Sequence, residues 1–295
     1  MNFNMSFDQK TVNNRFGLGN IITTKKPKII PLSYNIKKGR YFWENDKEPT
    51  IWVSMLIPSY NTNKSYLVEC VKSIKEQIGD FGIELVWIDD CSSLENSRFL
   101  INLLNTELTP LKNFELVYKK TYENSGVSFC LHQGVFLCSN ELIFRMDSDD
   151  IMLNNRLQKQ LDFMYSNTTC VMCGSNIIYF DEENGIKNET GISTHKKSLS
   201  WQEYKKTPVD WFLNHSTLCF KKSAILAVGN YRKNFKVPFE DLELELRVLK
   251  KYGTVFNLPE CLLLYRHHAD QTSKKNNSDL NNRLKKQLIS EMVAK

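Results

Sequence analysis

The strongest constraint on the fold of this chain is an alternation of short apolar segments with stretches of helical spacing. The apolar segments, each short enough to be a strand, are 51–57, 83–88, 114–118 and 142–146. The stretches between them, where apolar residues recur every three or four positions, are 67–78, 94–105 and 127–138. Buried strands joined by helices form a parallel sheet. The sequence therefore predicts an α/β fold, a Rossmann-like, mostly parallel sheet flanked by helices.

The second half of the chain is less regular. Residues 171–180 predict a strand, and 181–185 predict a turn that can start a hairpin. The leucines between 242 and 249 fit either an alternating strand or one face of a helix. We favour the helix because Leu and Glu are good helix formers and Glu243 can pair with Arg247 one turn later.

The net charge of +6 is concentrated at the two ends of the chain. Residues 1–48 carry nine basic and four acidic side chains, and 269–295 carry six and three. The remaining 24 basic and 26 acidic residues leave 49–268 at −2. A nucleic-acid groove needs a basic stripe on the folded body, so no nucleic-acid partner is expected. We predict an N-terminal extension over 1–48 and a basic helical tail over 269–295.

Targeting signals are not evident in the sequence. No stretch approaches the roughly 18 apolar residues of a membrane-spanning helix, so no integral membrane segment is expected. The first ten residues are polar where a signal peptide is apolar. The eight cysteines are scattered through apolar segments, as in proteins of a reducing compartment. These features predict a cytoplasmic location.

Polar residues follow each predicted strand, and the carboxyl ends of parallel strands are where such sheets bind ligands. These polar groups are Pro58-Ser59-Tyr60-Asn61, Asp89-Asp90, Asn124-Ser125-Gly126 and Asp147-Ser148-Asp149-Asp150. Carboxylates two apart, as in Asp147 and Asp149, can turn toward one hard cation such as Mg²⁺ or Mn²⁺, which shares its oxygen ligands with phosphates. The alternative is an acidic turn that caps the helix after it.

Six motifs, in order and spacing, resemble the family 2 glycosyltransferases with the GT-A fold. They span about 51–268 and read Ile57-Pro58-Ser59-Tyr60-Asn61, Ile88-Asp89-Asp90-Cys91-Ser92, Glu123-Asn124-Ser125-Gly126-Val127, Met146-Asp147-Ser148-Asp149-Asp150, Phe239-Glu240-Asp241 and Tyr265-Arg266-His267-His268. The resemblance implies one glycosyltransferase domain over 49–268. Its nucleotide-sugar half would be 49–165, and its acceptor half, with a smaller mixed sheet, 166–268.

The resemblance also implies a role for each matched residue. The donor nucleotide would be bound by Pro58, Ser59, Tyr60, Asn61, Asp90, Asn124, Gly126, Asp147 and Ser148, with Asp90 accepting a hydrogen bond from a uracil-like base. The metal, Mn²⁺ or Mg²⁺, would be bound by Asp147, Asp149 and His267, or His268 in place of His267. The general base would be Asp241, or less favourably Glu240. Helix capping remains the alternative for Asp90 and Asp241.

The implied activity is inverting transfer of a hexose or N-acetylhexosamine from a nucleotide-sugar, a UDP-sugar by preference, to an acceptor hydroxyl. The acceptor can be a glycan, a protein or a small molecule, and the oligomeric state stays open. Two alternatives are a catalytically silent sugar-nucleotide-binding module and a nucleotidyltransferase. Only Lys64 is basic near Pro58, which disfavours a triphosphate site.

Three positions depart from the family pattern. Leu131 and His132 occupy positions where the family often has Arg and Asn, which removes an expected cation near the donor. Cys91 stands where glycine is common, so the turn after the second strand is expected to be tight. His215 and Trp211 are further candidates for the acceptor pocket, although a tryptophan is as often a core residue.

Overall fold

The structure is a computed structural model that describes residues 21–23, 49, 51–183, 185–233, 239–269, 271 and 279–294. Most of the predicted extension over 1–48 lies outside the described residues. The strands are β1 Ile21–Thr23, β2 Trp52–Ser59, β3 Gly82–Asp89, β4 Phe114–Lys120, β5 Leu142–Arg145, β6 Ile151–Met152, β7 Met172–Glu183, β8 Ile186–Ser193, β9 Ser198–Ser200, β10 Cys219–Lys221 and β11 Thr254–His267. The helices are α1 Lys64–Lys75, α2 Leu94–Glu107, α3 Val127–Leu137, α4 Arg156–Ser166, α5 Trp201–Lys206, α6 Lys222–Ala227, α7 Glu240–Tyr252 and α8 Asp279–Ala294.

One mixed sheet forms the centre of the fold, with strand order β1-β4-β3-β2-β5-β10-β7-β11-β6. The four strands β4, β3, β2 and β5 are parallel to one another, which confirms the predicted α/β architecture. The antiparallel strand β10 joins β5 to β7. The mixed strands of the second half are thereby hydrogen-bonded into the same sheet as the first half. The carboxyl ends of β2, β3 and β5 consequently share one edge.

Helices cover both faces of the sheet over separate apolar clusters. The first cluster packs α1, α2 and α4 against one face, and the second packs α3 and α7 against the other. The residues of β2 after Trp52 and all of β3 are buried, as expected for strands covered on both sides. Burial therefore explains why these segments read as continuous apolar runs.

The leucine-rich segment after 240 is a helix, as predicted. Leu242, Leu246 and Leu249 are buried on its inner face. Arg247 Nη2 donates to Glu243 Oε2 at 2.5 Å, the pairing expected one turn apart. The helix ends at Gly253, whose φ of 82° suits a residue without a side chain. The alternating strand reading is therefore wrong for this segment.

The longest strand, β11, was not predicted from the sequence. Pro259 lies inside it and cannot donate a hydrogen bond to a neighbouring strand. The structure accommodates the proline by irregular pairing with β7, with register shifts between Leu258 and Cys261 and between Cys261 and Leu263. The strand then continues to His267 and carries its polar end to the site edge.

The predicted hairpin forms, because β7 and β8 pair antiparallel, but the predicted turn at 181–185 is too long: residues 181–183 belong to β7 and pair with β8. The final helix α8 lies within the predicted basic tail. None of the helices in the described part of the chain combines the length and apolarity needed to cross a membrane.

Candidate active site

Hydrogen bonds tie together the loops that follow β2, β3 and β5. Asn61 N donates to Ser92 Oγ at 2.8 Å, and Ser93 N donates to Asn61 Oδ1 at 2.8 Å. Thr62 Oγ1 lies 2.7 Å from Ser148 Oγ. The structure thus brings the first, second and fourth polar groups of the sequence analysis to one edge of the sheet.

The loop after β2 presents different groups to solvent and to the interior. Pro58 and Ser59 are buried, and Ser59 Oγ accepts a hydrogen bond from Trp87 Nε1 at 2.8 Å. Tyr60 is exposed beside them. Asn61 has a φ of 47° and is occupied by its loop contacts. Tyr60 is therefore the apolar side chain that this loop presents to a ligand.

The two acidic residues at the end of β3 have separate environments. Asp89 is fully buried and accepts three hydrogen bonds, from Ser92 N at 2.8 Å, Ser97 Oγ at 2.5 Å and Tyr118 Oη at 2.6 Å. It fixes the turn. Asp90 accepts from Ser125 N and Gly126 N, both at 2.8 Å, and joins the loops after β3 and β4. Thr121 Oγ1, at 3.2 Å, and the Cys130 thiol also lie beside the Asp90 carboxylate.

The turn after Asp90 is strained at Cys91. Its φ is 60°, in the left-handed region that favours glycine. This agrees with the expectation from the family resemblance that the turn at this position is tight. Gly126, at the start of α3, has a φ of 87° and open space where a side chain would point. Asn124 in the same loop is exposed. The loop after β4 therefore leaves open space at Gly126, whose N–H donates to Asp90.

The strain at Cys91 gives a stability prediction. We expect Cys91→Gly to leave the free energy of unfolding unchanged or to raise it by up to about 1 kcal/mol. We expect Cys91→Val to lower it by about 1–2 kcal/mol, because a β-branched residue fits this backbone poorly. Urea unfolding of the three proteins measures both changes. A loss of more than about 1 kcal/mol in the glycine variant would show that the Sγ contact with Tyr122 O, at 3.3 Å, outweighs the strain.

Arg145 is a site residue that sequence reasoning missed. It is buried at the end of β5, and its Nη1 and Nη2 donate to the two carboxylate oxygens of Asp147 at 2.6 Å each. Ser216 Oγ donates to Asp147 Oδ2 at 2.5 Å. Asp147 is thus held in place and neutralised by a bidentate pair. A lone arginine inside the apolar strand Leu142–Arg145 was the signal available in the sequence.

Asp149 faces His268 rather than His267. His268 Nε2 lies 2.9 Å from Asp149 Oδ2. His267 instead stacks on Tyr179 at 4.9 Å between ring centroids, with its Nδ1 3.6 Å from Asp181. His268, the alternative to His267, is therefore the histidine that lies beside the Asp147–Asp149 loop.

The backbone of the Asp147–Asp150 loop is held by Arg266. Arg266 Nε donates to the carbonyl oxygen of Asp149 at 3.0 Å, and Arg266 N donates to Asp150 Oδ1 at 3.1 Å. Asp150 is buried, and its Oδ2 lacks a partner among the described residues. Burial first, and the charges of Asp149 and Asp147 second, raise the pKa of Asp150 well above its ordinary value.

The donor set of this loop fits a divalent cation that also binds a ligand. Asp149 and His268 face each other, and Asp150 adds a buried oxygen without a partner. In the part of the chain that the structure describes, no three acidic, histidine or cysteine groups gather closely enough to hold a metal alone. Mg²⁺ and related ions commonly take one or two protein carboxylates and complete their shell with phosphate oxygens and water. The residues therefore suit a metal shared with a phosphorylated ligand.

Two carboxyl groups at the start of α7 interact with the Arg145–Asp147 pair. Burial, and then the neighbouring Asp241, raise the pKa of Glu240 to about 8. Burial also raises the pKa of Asp241, while the Leu242 N–H at 2.7 Å and the charges of Arg145 and Lys285 oppose that rise. At neutral pH Glu240 is mainly protonated. Asp241 is therefore the carboxylate better suited to accept a proton.

The positions that depart from the family pattern lie in the core beside this site. Leu131 is buried, and His132 Nδ1 lies 2.6 Å from Tyr231 O. Tyr231 Oη lies 2.8 Å from His215 Nε2. Burial, and then Arg145, lower the pKa of His215 well below its ordinary value, so this ring is neutral. Arg145 provides a buried cation in this region.

The sequence matches the family model described as Glycosyl transferase family 2 over residues 54–227, more than half of the chain. It is 28% identical to the amylovoran biosynthesis glycosyltransferase AmsE of Erwinia amylovora over 75% of this chain and 79% of that protein. It is 36% identical to the O-antigen biosynthesis glycosyltransferase WbnJ of Escherichia coli over 56% of this chain and 62% of that protein.

Solved structures show the same fold at low sequence identity. TarS of S. aureus, residues 1–349 in complex with UDP-GlcNAc, aligns with a TM-score of 0.60 at 15% identity, covering 82% of this chain and 72% of that chain. The mannosyltransferase PcManGT of Pyrobaculum calidifontis, in complex with GDP-Man and Mn2+, aligns with a TM-score of 0.55 at 14% identity, covering 76% and 59%. Together with the matched family model, these similarities confirm the resemblance seen in the sequence: the chain is a glycosyltransferase with the GT-A fold and belongs to glycosyl transferase family 2.

Proposed function

We propose that this enzyme transfers a hexose or N-acetylhexosamine from a UDP-sugar to an acceptor hydroxyl, with inversion and with a divalent metal, Mn²⁺ or Mg²⁺. The observation that carries the proposal is the common edge formed by Asp90, the Asp147–Asp149 loop and the start of α7. Asp90 and Asp149 lie on loops tied to one another through Asn61 and Thr62. One extended nucleotide-sugar can therefore contact both.

The nucleotide would lie beside the loops after β2 and β3. The exposed Tyr60 ring offers an apolar face to a base, and the Asp90 carboxylate is an acceptor of the kind that a ring N–H needs. Uracil has such an N–H donor. TarS was solved with UDP-GlcNAc and PcManGT with GDP-Man, so neighbours of this fold accept either base. Guanine also carries a ring N–H, so Asp90 can accept from either base, and our preference for UDP rests on the resemblance of the motifs.

The diphosphate would lie at the Asp147–Asp149 loop. Asp149 and His268 are the protein groups that we assign to the metal, with His268 in place of His267. A bound divalent ion would stabilise the charge that develops on the leaving diphosphate. Asp147, neutralised by Arg145, would orient the donor rather than add a free negative charge beside the phosphates. Arg266 holds the backbone of this loop in place.

Asp241 is the proposed general base. A sugar hydroxyl is a weak nucleophile, and a carboxylate that accepts its proton as the new bond forms contributes roughly 10²–10⁴-fold. A single displacement from the face opposite the diphosphate inverts the anomeric centre. The acceptor is proposed to be a glycan, which is supported by relatives whose names place them in amylovoran and O-antigen biosynthesis.

A donor screen tests the activity and the metal together. With Mn²⁺ present, we expect release of UDP from at least one UDP-hexose or UDP-N-acetylhexosamine. The rate of UDP release should fall by about tenfold or more when EDTA removes the metal. GDP-sugars are the comparison set. Absence of release from every sugar nucleotide would support a silent binding module, and release without metal would remove the metal from the proposal.

The two adjacent histidines provide a matched pair for the metal site. We expect His268→Ala to raise the Mn²⁺ concentration needed for half-maximal activity by about tenfold, a typical cost of losing a metal contact. His267→Ala should leave it unchanged, because His267 faces Asp181. The measurement is a Mn²⁺ titration of UDP release for both variants. Equal effects in the two variants would contradict the assignment.

A further inference from the structure

The helix α8 lies beyond the residues matched by the family model but packs against the domain. Ile289 is buried, and further apolar side chains of α8 pack on the same cluster as the inner face of α7: Leu284, Leu288, Met292 and Val293. Lys250 Nζ, near the end of α7, donates to Met292 O at 3.1 Å. This packing fixes the position of α8 along α7.

Docking of α8 places Lys285 at the acceptor side of the site. Lys285 Nζ lies 3.4 Å from Asp210 Oδ2, and the Lys285 side chain is only 27% exposed. Along α8, Lys285 precedes Met292 by seven residues, or about 10 Å. Along α7, Asp241 precedes Lys250 by nine residues, or about 13 Å. Lys250 lies beside Met292 at one end, and the charge of Lys285 acts on Asp241 at the other, so the two helices run in the same direction with Lys285 near the start of α7.

Asp210 belongs to the segment 207–214, which also carries an exposed aromatic face. Trp211 is 50% exposed, and its ring is nearly perpendicular to that of His195, with 4.9 Å between centroids. Asn214 of the same segment approaches His195 Nε2 at 3.3 Å. A half-exposed indole can stack on a sugar ring. Lys285 is thus a charged group through which α8 contacts this segment.

We propose that α8 is part of the acceptor side of the site and that Lys285 is a positioning residue, which holds the segment 207–214 next to the helix that carries Asp241. This inference rests on the proposed function. Lys285 also supports the proposed base by its charge, because that charge lowers the pKa of Asp241 and favours its ionised form. The other groups that face Asp241 are Glu240 and Glu245 on α7, Arg145 on β5 and Tyr231.

The test uses Lys285→Met with Lys286→Met as the matched control, since Lys286 is the next residue and is exposed. The first readout is the pH profile of UDP release from the UDP-sugar selected by the donor screen. Removing Lys285 should move the acid limb of the profile to higher pH by about half a unit, because Asp241 then needs a higher pH to ionise. Lys286→Met should not move it, and Lys285→Arg should restore it.

The second readout is hydrogen–deuterium exchange of the segment 207–214. We expect several-fold faster exchange in Lys285→Met and in Asp210→Asn, but not in Lys286→Met. Asp210→Asn should leave the acid limb where it is, because Lys285 still faces Asp241. Identical behaviour of Lys285→Met and Lys286→Met in both measurements would overturn the inference. Wild-type enzyme without UDP release would instead refute the proposed function, and the exchange data would still report on Lys285.

Discussion

Replacing Asp241 by Asn is expected to lower kcat for sugar transfer by roughly 10²–10⁴-fold. The substitution keeps the size of the side chain but removes the carboxylate that accepts the proton of the acceptor hydroxyl. The affinity for UDP should stay within about twofold of wild type, since the nucleotide is assigned to Asp90 and the Asp147–Asp149 loop. Steady-state transfer assays and calorimetric titration with UDP and Mn²⁺ measure the two quantities separately.

The neighbouring carboxyl group provides the comparison for this prediction. Because the pKa of Glu240 is raised to about 8, Glu240→Gln resembles the state that Glu240 already has at neutral pH. We expect this variant to lose less than about tenfold at pH 7. Activity of the wild-type enzyme should rise with pH through the raised pKa of Asp241, because the base acts only when ionised. A large loss of kcat in Glu240→Gln, with near-normal kcat in Asp241→Asn, would show that Glu240 rather than Asp241 is the general base.

The first half of the fold could be predicted from the sequence because its strands are buried on both faces. Continuous apolar runs such as β3 leave little ambiguity, and the polar residues after them fall at the sheet edge for topological reasons. The spacing of the leucines after 242 also fitted a strand, and the helix was predicted from the helix propensity of Leu and Glu and from the Glu243–Arg247 pair. Local pattern and tertiary burial agree in these segments.

The rest could not be read locally because it depends on contacts between distant residues. Pro259 argues against a strand, and only pairing with β7 shows how β11 accommodates it. Arg145 lies two residues from Asp147, but nothing in the sequence shows that it turns back to neutralise it. Lys285 is one of several basic residues in a polar tail until α8 is packed on α7. Electrostatic partners at long sequence separation are set by the fold.

The choice between His267 and His268 shows the same limit at single-residue scale. Adjacent residues on a strand point to opposite faces, so one of the two must face away from the Asp147–Asp149 loop. Sequence alone does not fix the register at the end of β11. The parallel pairing of His267 with Asp181 fixes it, and His268 follows as the residue that reaches Asp149.

Replacing Arg266 by Met should cause the largest loss of stability among the changes considered. The guanidinium is fully buried between the rings of Tyr66 and Phe180, at 4.1 and 4.6 Å from their centroids, and it forms ion pairs with Glu69 and Glu182. Methionine fills the space but leaves two carboxylates without their buried partner. Removing one member of a buried ion pair typically costs about 3–5 kcal/mol, which urea unfolding at pH 7 would measure.

The matched control is Lys187→Met, because Lys187 pairs with the same Glu69 from a more exposed position. An exposed pair contributes about 0–1 kcal/mol, so this variant should be close to wild type. A similar loss in both variants would mean that the charge on Glu69, rather than burial of Arg266, determines the cost.

The loss in Arg266→Met should also depend on pH. Burial alone would raise the pKa of Glu69, but Lys187 and Arg266 together lower it below its ordinary value of 4.5. A group with a lowered pKa stabilises the folded state above its unfolded pKa, and that contribution is lost as the pH falls through the folded value. The difference between wild type and Arg266→Met should therefore be largest near pH 7 and narrow below about pH 4.5. A difference that stays constant from pH 7 to pH 4 would show that packing between Tyr66 and Phe180, and not charge, is the main contribution of Arg266 to stability.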